Sequence, residues 1–465
     1  MKRRDFLKMA VMGAAGLALP RGLQATQINQ TGDKGSRPNI IFILTDDVGL
    51  PNISCFGADE YKTPHIDALA RSGTRFEHCY STPLCGPSRA EILTGRYPFR
   101  TGMTSNQTGA VLKPANEIMM PTVLKAAGYV TAHVGKWGQL PDQPGDWGFD
   151  DYLRFQGNGK YWREQATSYT VNGKQVELPE GKYLPDAMHD YLVEFITRHR
   201  DRPFYAYYPM SHIHGPILQT PDSKPGSDHY ADNIAYMDKL VGKLIAELER
   251  LKLRQNTLVV FVGDNGTAGG HANATVKGRR LSGQKASMLE GGSLVPLIAS
   301  WPGVTPAGKA CQDLIDFSDF FPTFAELAGA RLPQDVTIDG HSFAGQLKGR
   351  HGAPREWIYV ELDGKWYART ARWKLNRAGE LFDMSEAPFV EKAVPATTAD
   401  AEAMAARTGL RAVLDQLNPA AGKQSAPRPQ RAKKQARAKK AAAGRTKKRS
   451  VLAPLPSHMP ALASV

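Results

Sequence analysis

"PNIIFILTDDVG", residues Pro38 to Gly49, decides the fold. Ile40 to Leu44 is an unbroken apolar run rich in β-branched residues, with no polar position alternating through it. A strand apolar at successive residues is covered on both faces, as in a parallel sheet flanked by helices. The run stops abruptly at Asp46-Asp47 and Gly49, so this strand delivers two carboxylates at its carboxyl end. In open α/β sheets that edge is where ligands bind.

Outward from this stretch, helix and strand patterns alternate. "TPHIDALARSG" predicts a short helix starting near Pro64, "PTVLKAAG" another, and "YVTAHVGKW" a strand. "PDAMHDYLVEFITRHR" has amphipathic helical spacing, and "PFYAYYPM" is a strand running into His212 and His214. "YADNIAYMDKLVGKLIAELERL" predicts a long helix, and "TLVVFVGDNG" is a second buried strand ending in acid, at Asp264-Asn265. "DLIDFSDFFPTFAELAGA" reads as one further helix. The expected architecture is α/β: a large mixed, mostly parallel sheet with helices on both faces. From about Thr337 the rhythm changes to short strands, "REWIYVEL", "KWYARTARWKLNR" and "GELFDM", followed by a helix around Ala399 to Leu417. That pattern predicts a smaller C-terminal domain with an antiparallel sheet and a helix.

The ends of the chain read differently. Residues 1–25 have a positive start, an apolar stretch short for a bilayer span, and small residues before Thr26. They read as a removable export signal, with a membrane anchor as the alternative reading because the cleavage site after Ala25 is poor, and Arg3-Arg4 followed by Asp5-Phe6-Leu7-Lys8 resembles the twin-arginine type, which carries folded proteins. Residues 26–37 form a polar linker. The chain carries a formal net charge of +14. Most of it sits between Lys423 and Arg449, where 12 basic residues occur without an acid, so the rest is close to neutral. Residues 419–465 therefore read as a basic, low-complexity, disordered tail able to contact polyanions, with no signal for a specific nucleic-acid partner.

Two acidic strand ends on one parallel sheet bring Asp46, Asp47, Asp264 and Asn265 to a common rim. Paired carboxylates repel unless a cation sits between them, and an all-oxygen set suits calcium or magnesium over zinc. Taken singly, Asp-Asp-Val-Gly and Asp-Asn-Gly are also ordinary turn and cap residues. The four cysteines, Cys55, Cys79, Cys85 and Cys311, form no CxxC pair and no zinc spacing, and the sequence selects no disulfide partners. Cys85 stands apart. It opens "LCGPSRAEILTGR", residues Leu84 to Arg96, where Pro87 sets the first turn of a helix.

"CGPSRAEILTGR" resembles the CxPSRxxxLTGR signature of the formylglycine-dependent sulfatases, the arylsulfatase-like branch of the alkaline phosphatase superfamily. Further blocks of that family follow in order: "PNIIFILTDDVG", "TPHIDALARSGTRFEHCYS", "GYVTAHVGKW", "LVVFVGDNG", "GQKASMLEGGSLVPLI", "DFFPTFAELAG" and "ARWKLNRAGELFDM". The resemblance spans roughly residues 38 to 390. It implies a catalytic domain over 38–335, a small α+β domain over 336–418, and a sulfuric ester hydrolase acting on sulfated carbohydrates or aryl sulfates.

The resemblance also implies roles. Cys85 would be converted to formylglycine (3-oxoalanine) by a formylglycine-generating enzyme before folding. One hydroxyl of the hydrated aldehyde then attacks sulfur and the other later expels sulfate, a division of one hard step that a thiol lacks. Asp46, Asp47, Asp264 and Asn265, with the modified Cys85, would bind Ca2+. Arg89 would hydrogen-bond the formylglycine and the carboxylates. Lys136 and Lys285 would hold the sulfate oxygens, and His214 would touch the substrate and protonate the leaving group, with His212 a neighbour able to share that role.

The chain departs from the family in two places. Gly138 stands where many members carry a histidine after GKW, and His133 is not expected to compensate because it faces away from Lys136 on an extended strand. Leu294 stands where the "EGG" block usually continues to an arginine. The competing readings are a phosphoesterase or phosphonate-ester hydrolase on the same fold, and a catalytically silent protein that binds sulfated glycans. The expected location is the periplasm or the exterior of a bacterium, with no integral span after signal removal.

Overall fold

The computed structural model describes residues 37–164 and 168–422. The expected export signal, almost all of the linker and the basic stretch from Lys423 lie outside the described residues. The large sheet is built from β1 (Asn39–Thr45), β2 (Thr74–Tyr80), β3 (Val130–Gly138), β4 (Asp151–Gln156), β5 (Ser168–Val171), β6 (Lys174–Glu177), β7 (Phe204–Pro209), β8 (Thr257–Gly263), β9 (Leu294–Ser300) and β10 (Lys309–Asp316). Their order is β10-β2-β9-β8-β1-β7-β3-β4-β5-β6. The central run β8-β1-β7-β3-β4 is parallel, while β9 runs antiparallel to both β2 and β8.

Both faces of β1 are covered, as its unbroken apolar run requires. Ile40, Phe42 and Leu44 pack with Leu93, Met120, Phe320 and Phe324 from helices Cys85–Thr94, Met120–Ala126 and Phe320–Ala328. Ile41 and Ile43 face the opposite way, toward Leu192, Phe195, Leu240 and Leu244 from helices Leu184–Arg198 and His229–Arg250. The core is therefore two layers separated by the sheet, and the sheet's central strands are held in fixed register.

Two expectations are corrected here. "DLIDFSDFFPTFAELAGA" is not one helix: Lys309–Asp316 is edge strand β10, and the helix begins only at Phe320 after a 3-10 turn over Phe317–Asp319. The helix Ala401–Leu417 continues into a further 3-10 turn at Pro419–Ala421, with Pro419 buried, so ordered chain extends past the expected start of the tail at 419.

The small sheet, β11 (Ile358–Leu362), β12 (Lys365–Arg369), β13 (Trp373–Asn376), β14 (Leu381–Asp383) and β15 (Lys392–Val394), is antiparallel throughout. Leu410, Leu414 and Leu417 of the C-terminal helix pack on its Trp373, Leu375 and Leu381. Both sheets lie in one compact unit that begins at Arg37. Buried ion pairs join them: Arg369 of β12 reaches Glu290 at 2.6 Å, and Arg355 holds Asp319 with its closest contact at 2.5 Å. All four cysteines are free. Among the described residues no helix is long and apolar enough to cross a membrane.

Candidate active site

Register explains why the acids meet. Thr45 of β1 pairs with Gly263 of β8, so the next residues, Asp46 and Asp264, leave adjacent parallel strands side by side. On the other flank β7 pairs with β1 as far as Leu44 and Pro209. The chain beyond stays attached, with Asp46 N donating to His212 O at 2.7 Å, which brings His214 to the same rim. Lys136 lies near the end of β3, one strand further along. Asp47 adopts a left-handed φ of 61°, a conformation that Asp tolerates better than most residues, and its amide donates to Asp264 Oδ1 at 3.0 Å.

Cys85 arrives from another direction, as the first residue of helix Cys85–Thr94, which is buried along its whole length. Pro87 sits in the first turn, where a missing N–H costs nothing, and Gly95 ends the helix at a left-handed φ of 67°. Arg89 is one turn beyond Cys85 and therefore shares its face. Its guanidinium reaches Asp264 Oδ2 at 2.7 Å, lies 3.8 Å from Asp46 Oδ1, and donates to the Lys136 carbonyl at 3.2 Å.

The result is a buried cluster of three carboxylates and three cations. Lys136 Nζ contacts Asp46 Oδ2 at 2.5 Å and lies 3.8 Å from Cys85 Sγ. Lys285 Nζ straddles Asp47 at 2.5 and 2.7 Å. Asn265 Nδ2 donates to Asp47 Oδ1 at 2.8 Å. His214 sits at the mouth with Nε2 3.8 Å from Asp47 Oδ2, while its Nδ1 pairs with the Gly215 carbonyl at 2.8 Å. Every residue expected at the site is thus brought together except His212.

Electrostatics differ sharply between neighbouring acids. Burial alone would raise Asp46, but Lys136 and Arg89 outweigh it and hold the carboxyl well below the usual range. Asp264 is pushed up to about 7, by burial first and then by the Asp46 charge beside it, against the pull of Arg89. Burial likewise raises the Cys85 thiol. A buried, mainly protonated thiol is a poor nucleophile.

The donors also fit a hard divalent cation. Asp46, Cys85 and Asp264 each offer a ligand atom, and these atoms lie within 4.8 Å of one another. Asp46 Oδ1 and Asn265 Oδ1 are buried yet accept no hydrogen bond among the described residues. Buried oxygens left without partners are costly, and a cation coordinated by them removes that cost. Carboxylate and amide oxygens match calcium or magnesium.

A family model described as Sulfatase matches residues 38–330. The chain belongs to the sulfatase family. N-acetylgalactosamine-6-sulfatase of Canis lupus familiaris is 32% identical over 398 residues, covering 76% of this chain and 74% of that protein. Arylsulfatase A of Homo sapiens is 31% identical over 388 residues, covering 73% and 74%. The solved structure of Ps i-CgsB in complex with k-i-k-neocarrahexaose is similar at a TM-score of 0.69 and 27% identity, covering 82% of this chain and 92% of that one. The protein is accordingly a sulfatase enzyme of the alkaline phosphatase superfamily.

Three details of this sulfatase go beyond its motifs. His212 is fully buried, with Nε2 3.1 Å from Tyr183 Oη inside an aromatic cluster, and burial pushes it down to about 3, so its side chain does not share the position of His214. His133 does face away from Lys136, packing against Trp137 and Phe149. Gly138 has a φ of +69°, and a Cβ there would lie 3.5 Å from Arg89 Cδ and 3.8 Å from Lys136 Cε, so a side chain at this position would enter the cationic cluster.

Leu294 is buried in the core beside Tyr80, and Glu290 is neutralised by Arg369 from the small sheet. The stretches that follow Gly138 and Asn265 contain regular structure. The Gln139–Tyr161 stretch holds a 3-10 turn at Pro144–Trp147 and strand β4, and the Gly266–Arg280 stretch holds a 3-10 turn at Gly269–His271. Motif reading missed Asn106 and Gln139, the two amides that contact Cys85 Sγ at 3.6 and 3.7 Å. Gln139 directly follows the "GKWG" departure, the one sequence signal that points to it; Asn106 has none.

Proposed function

We propose that this sulfatase hydrolyses sulfuric esters of carbohydrates or aryl alcohols through a formylglycine made from Cys85, with Ca2+ held by Asp46, Asp47, Asp264 and Asn265. The observation that carries this reading is the convergence of Asp46, Cys85 and Asp264 around one point, with two buried oxygens lacking hydrogen-bond donors among the described residues. A hydrated formylglycine supplies a hydroxyl nucleophile in place of the unreactive thiol. A bound divalent ion supplies positive charge that favours an anionic oxygen and polarises the ester.

The chain's own residues do the rest. Without the ion, three carboxylates are matched by Arg89, Lys136 and Lys285; with it, the site carries excess positive charge and attracts a sulfate group. Lys136 and Lys285 are compact point charges suited to a tetrahedral anion, and both already point into the cluster. Arg89 holds Asp264 in position and, fully buried, excludes water behind it. His214 has Nδ1 tied to Gly215 O, which leaves Nε2 facing the cluster, placed to deliver a proton to the leaving oxygen.

Sulfated polysaccharide is the favoured natural substrate, supported by the carbohydrate named in two of the similar proteins. The reading further assigns maturation to a formylglycine-generating enzyme, export to residues 1–25 and location to the periplasm or exterior. It assigns catalysis to residues 38–335 and polyanion contact to the basic tail. The test is sulfate release from a panel of sulfated glycans and aryl sulfates, with and without a calcium chelator, by protein whose Cys85 peptide shows the mass of formylglycine. No release from any of them overturns the assignment.

A further inference from the structure

The segment between the Cys85–Thr94 helix and β3, together with the residue that follows β3, places a second group of side chains around residue 85. Asn106 Oδ1 accepts the Gly86 N–H at 2.9 Å. An N–H cannot donate to an NH2 group, so this bond fixes which way the amide points: Nδ2, 3.6 Å from Cys85 Sγ, is its donor toward residue 85, while Oδ1, which already accepts from Gly86, lies further from the sulfur at 3.8 Å. Gln139 Oε1 lies 3.7 Å from the same sulfur and accepts from it. The two amides come from segments that abut: a Cβ on Gly109 would lie 1.9 Å from the Gln139 carbonyl, so only glycine permits this approach. Both amides are half-buried, at the mouth of the site rather than among the carboxylates. Gln139 directly follows Gly138, which carries no side chain.

We propose that Asn106 and Gln139 form a carboxamide clamp on residue 85, with Asn106 donating to one heteroatom position and Gln139 accepting from the other. This rests on the proposed formylglycine chemistry, because a hydrated aldehyde carries two hydroxyls and each then has a partner of fixed polarity. Carboxamides do not ionise in the working range, so the clamp orients the hydroxyls and leaves proton removal to water. In this chain, orientation by two neutral groups takes the place of the imidazole that Gly138 excludes. Asn106 and Gln139 are positioning residues: they fix a rotamer on which the rate depends and do not touch the sulfate-binding lysines.

The experiment uses two near-isosteric variants of the full chain. Asn106→Leu keeps the side-chain shape without adding charge and removes the donor toward residue 85 along with the acceptor for Gly86 N–H; Gln139→Met keeps length and removes the acceptor. In converted enzyme each lowers kcat by about tenfold with KM within about twofold, the signature of a lost orienting bond rather than lost binding. In unconverted protein the readout is the rate of Cys85 alkylation by iodoacetamide, followed by mass spectrometry. A donor to sulfur favours the nucleophilic thiolate and an acceptor favours the thiol. Asn106→Leu therefore slows labelling and Gln139→Met speeds it, each by about fivefold. Labelling rates that both move the same way, or stay within experimental error, overturn the clamp, as does a kcat within about twofold of wild type in both variants. If converted wild-type enzyme releases no sulfate, the formylglycine reading fails instead, and the labelling arm still decides the clamp.

Discussion

Replacing Lys136 with methionine tests how much of the chemistry one buried charge supplies. Its Nζ is fully buried, 2.5 Å from Asp46 and 3.8 Å from the sulfur of residue 85. A unit charge at that distance from a developing unit charge is worth ~4 kcal/mol at an effective dielectric constant near 20. Water cannot replace the charge there without opening the site, so most of this energy appears in the barrier. With ~1.4 kcal/mol per factor of ten, Lys136→Met should lower kcat/KM by about a thousandfold. The assay is steady-state release of sulfate from an aryl sulfate by converted protein, with the melting temperature and the formylglycine content of the Cys85 peptide measured in parallel. A loss of less than about tenfold in folded, converted protein would refute the electrostatic argument.

Other consequences follow from the same geometry. His214→Gln should cost about 100-fold or more on a sugar sulfate, whose leaving oxygen needs a proton, and far less on a nitrophenyl sulfate, whose leaving group does not; equal losses on both would remove the general-acid role. Calcium at about a hundredfold excess over its dissociation constant should add ~2.7 kcal/mol to the unfolding free energy relative to chelator-treated protein, read as a rise in Tm. An unchanged Tm in saturating calcium would contradict the ligand set. His133 is buried, and desolvation pushes it down to about 3 from its ordinary 6.5, although the Gly135 carbonyl accepts its Nε2 proton at 3.1 Å. The unfolded chain therefore takes up a proton first as pH falls, and stability is lost between pH 6.5 and 3 at ~1.4 kcal/mol per unit. Urea unfolding at pH 7 and 5 should show a drop about 2 kcal/mol smaller in His133→Phe than in wild type; identical drops would place His133 outside the titrating set.

The fold was legible where both faces of a strand are covered. β1 and β8 are continuous apolar runs because helices cover the sheet on both sides, and periodicity reads such strands directly. The edges were not legible. β10, "KACQDLID", is the outermost strand on one side and carries Lys309, Gln312 and Asp313, so its polar residues merge with the helix that follows. β2, "TRFEHCY", alternates buried Phe76 with half-buried Arg75, Glu77 and His78, a pattern that gives no continuous run.

At the site the same division holds. Asp46, Asp264 and Cys85 lie in motifs whose spacing is set by strand ends and a helix start, which sequence displays. Asn106 and Gln139 are placed by the packing of one loop against another, through a contact that requires Gly109, and nothing local in either residue announces it. His212 and His214, two residues apart in "SHIHGP", have opposite fates: one is locked among Tyr161, Tyr183 and Tyr236, while the other faces the carboxylates.

The most direct test of the central claim, that four oxygen-bearing side chains and residue 85 share one cation, is anomalous diffraction from crystals of the converted protein grown in calcium. The account predicts a single strong peak at ~2.3–2.6 Å from oxygens of Asp46, Asp47, Asp264 and Asn265, with the residue-85 side chain in contact. A peak elsewhere, or none at this cluster in saturating calcium, would contradict it.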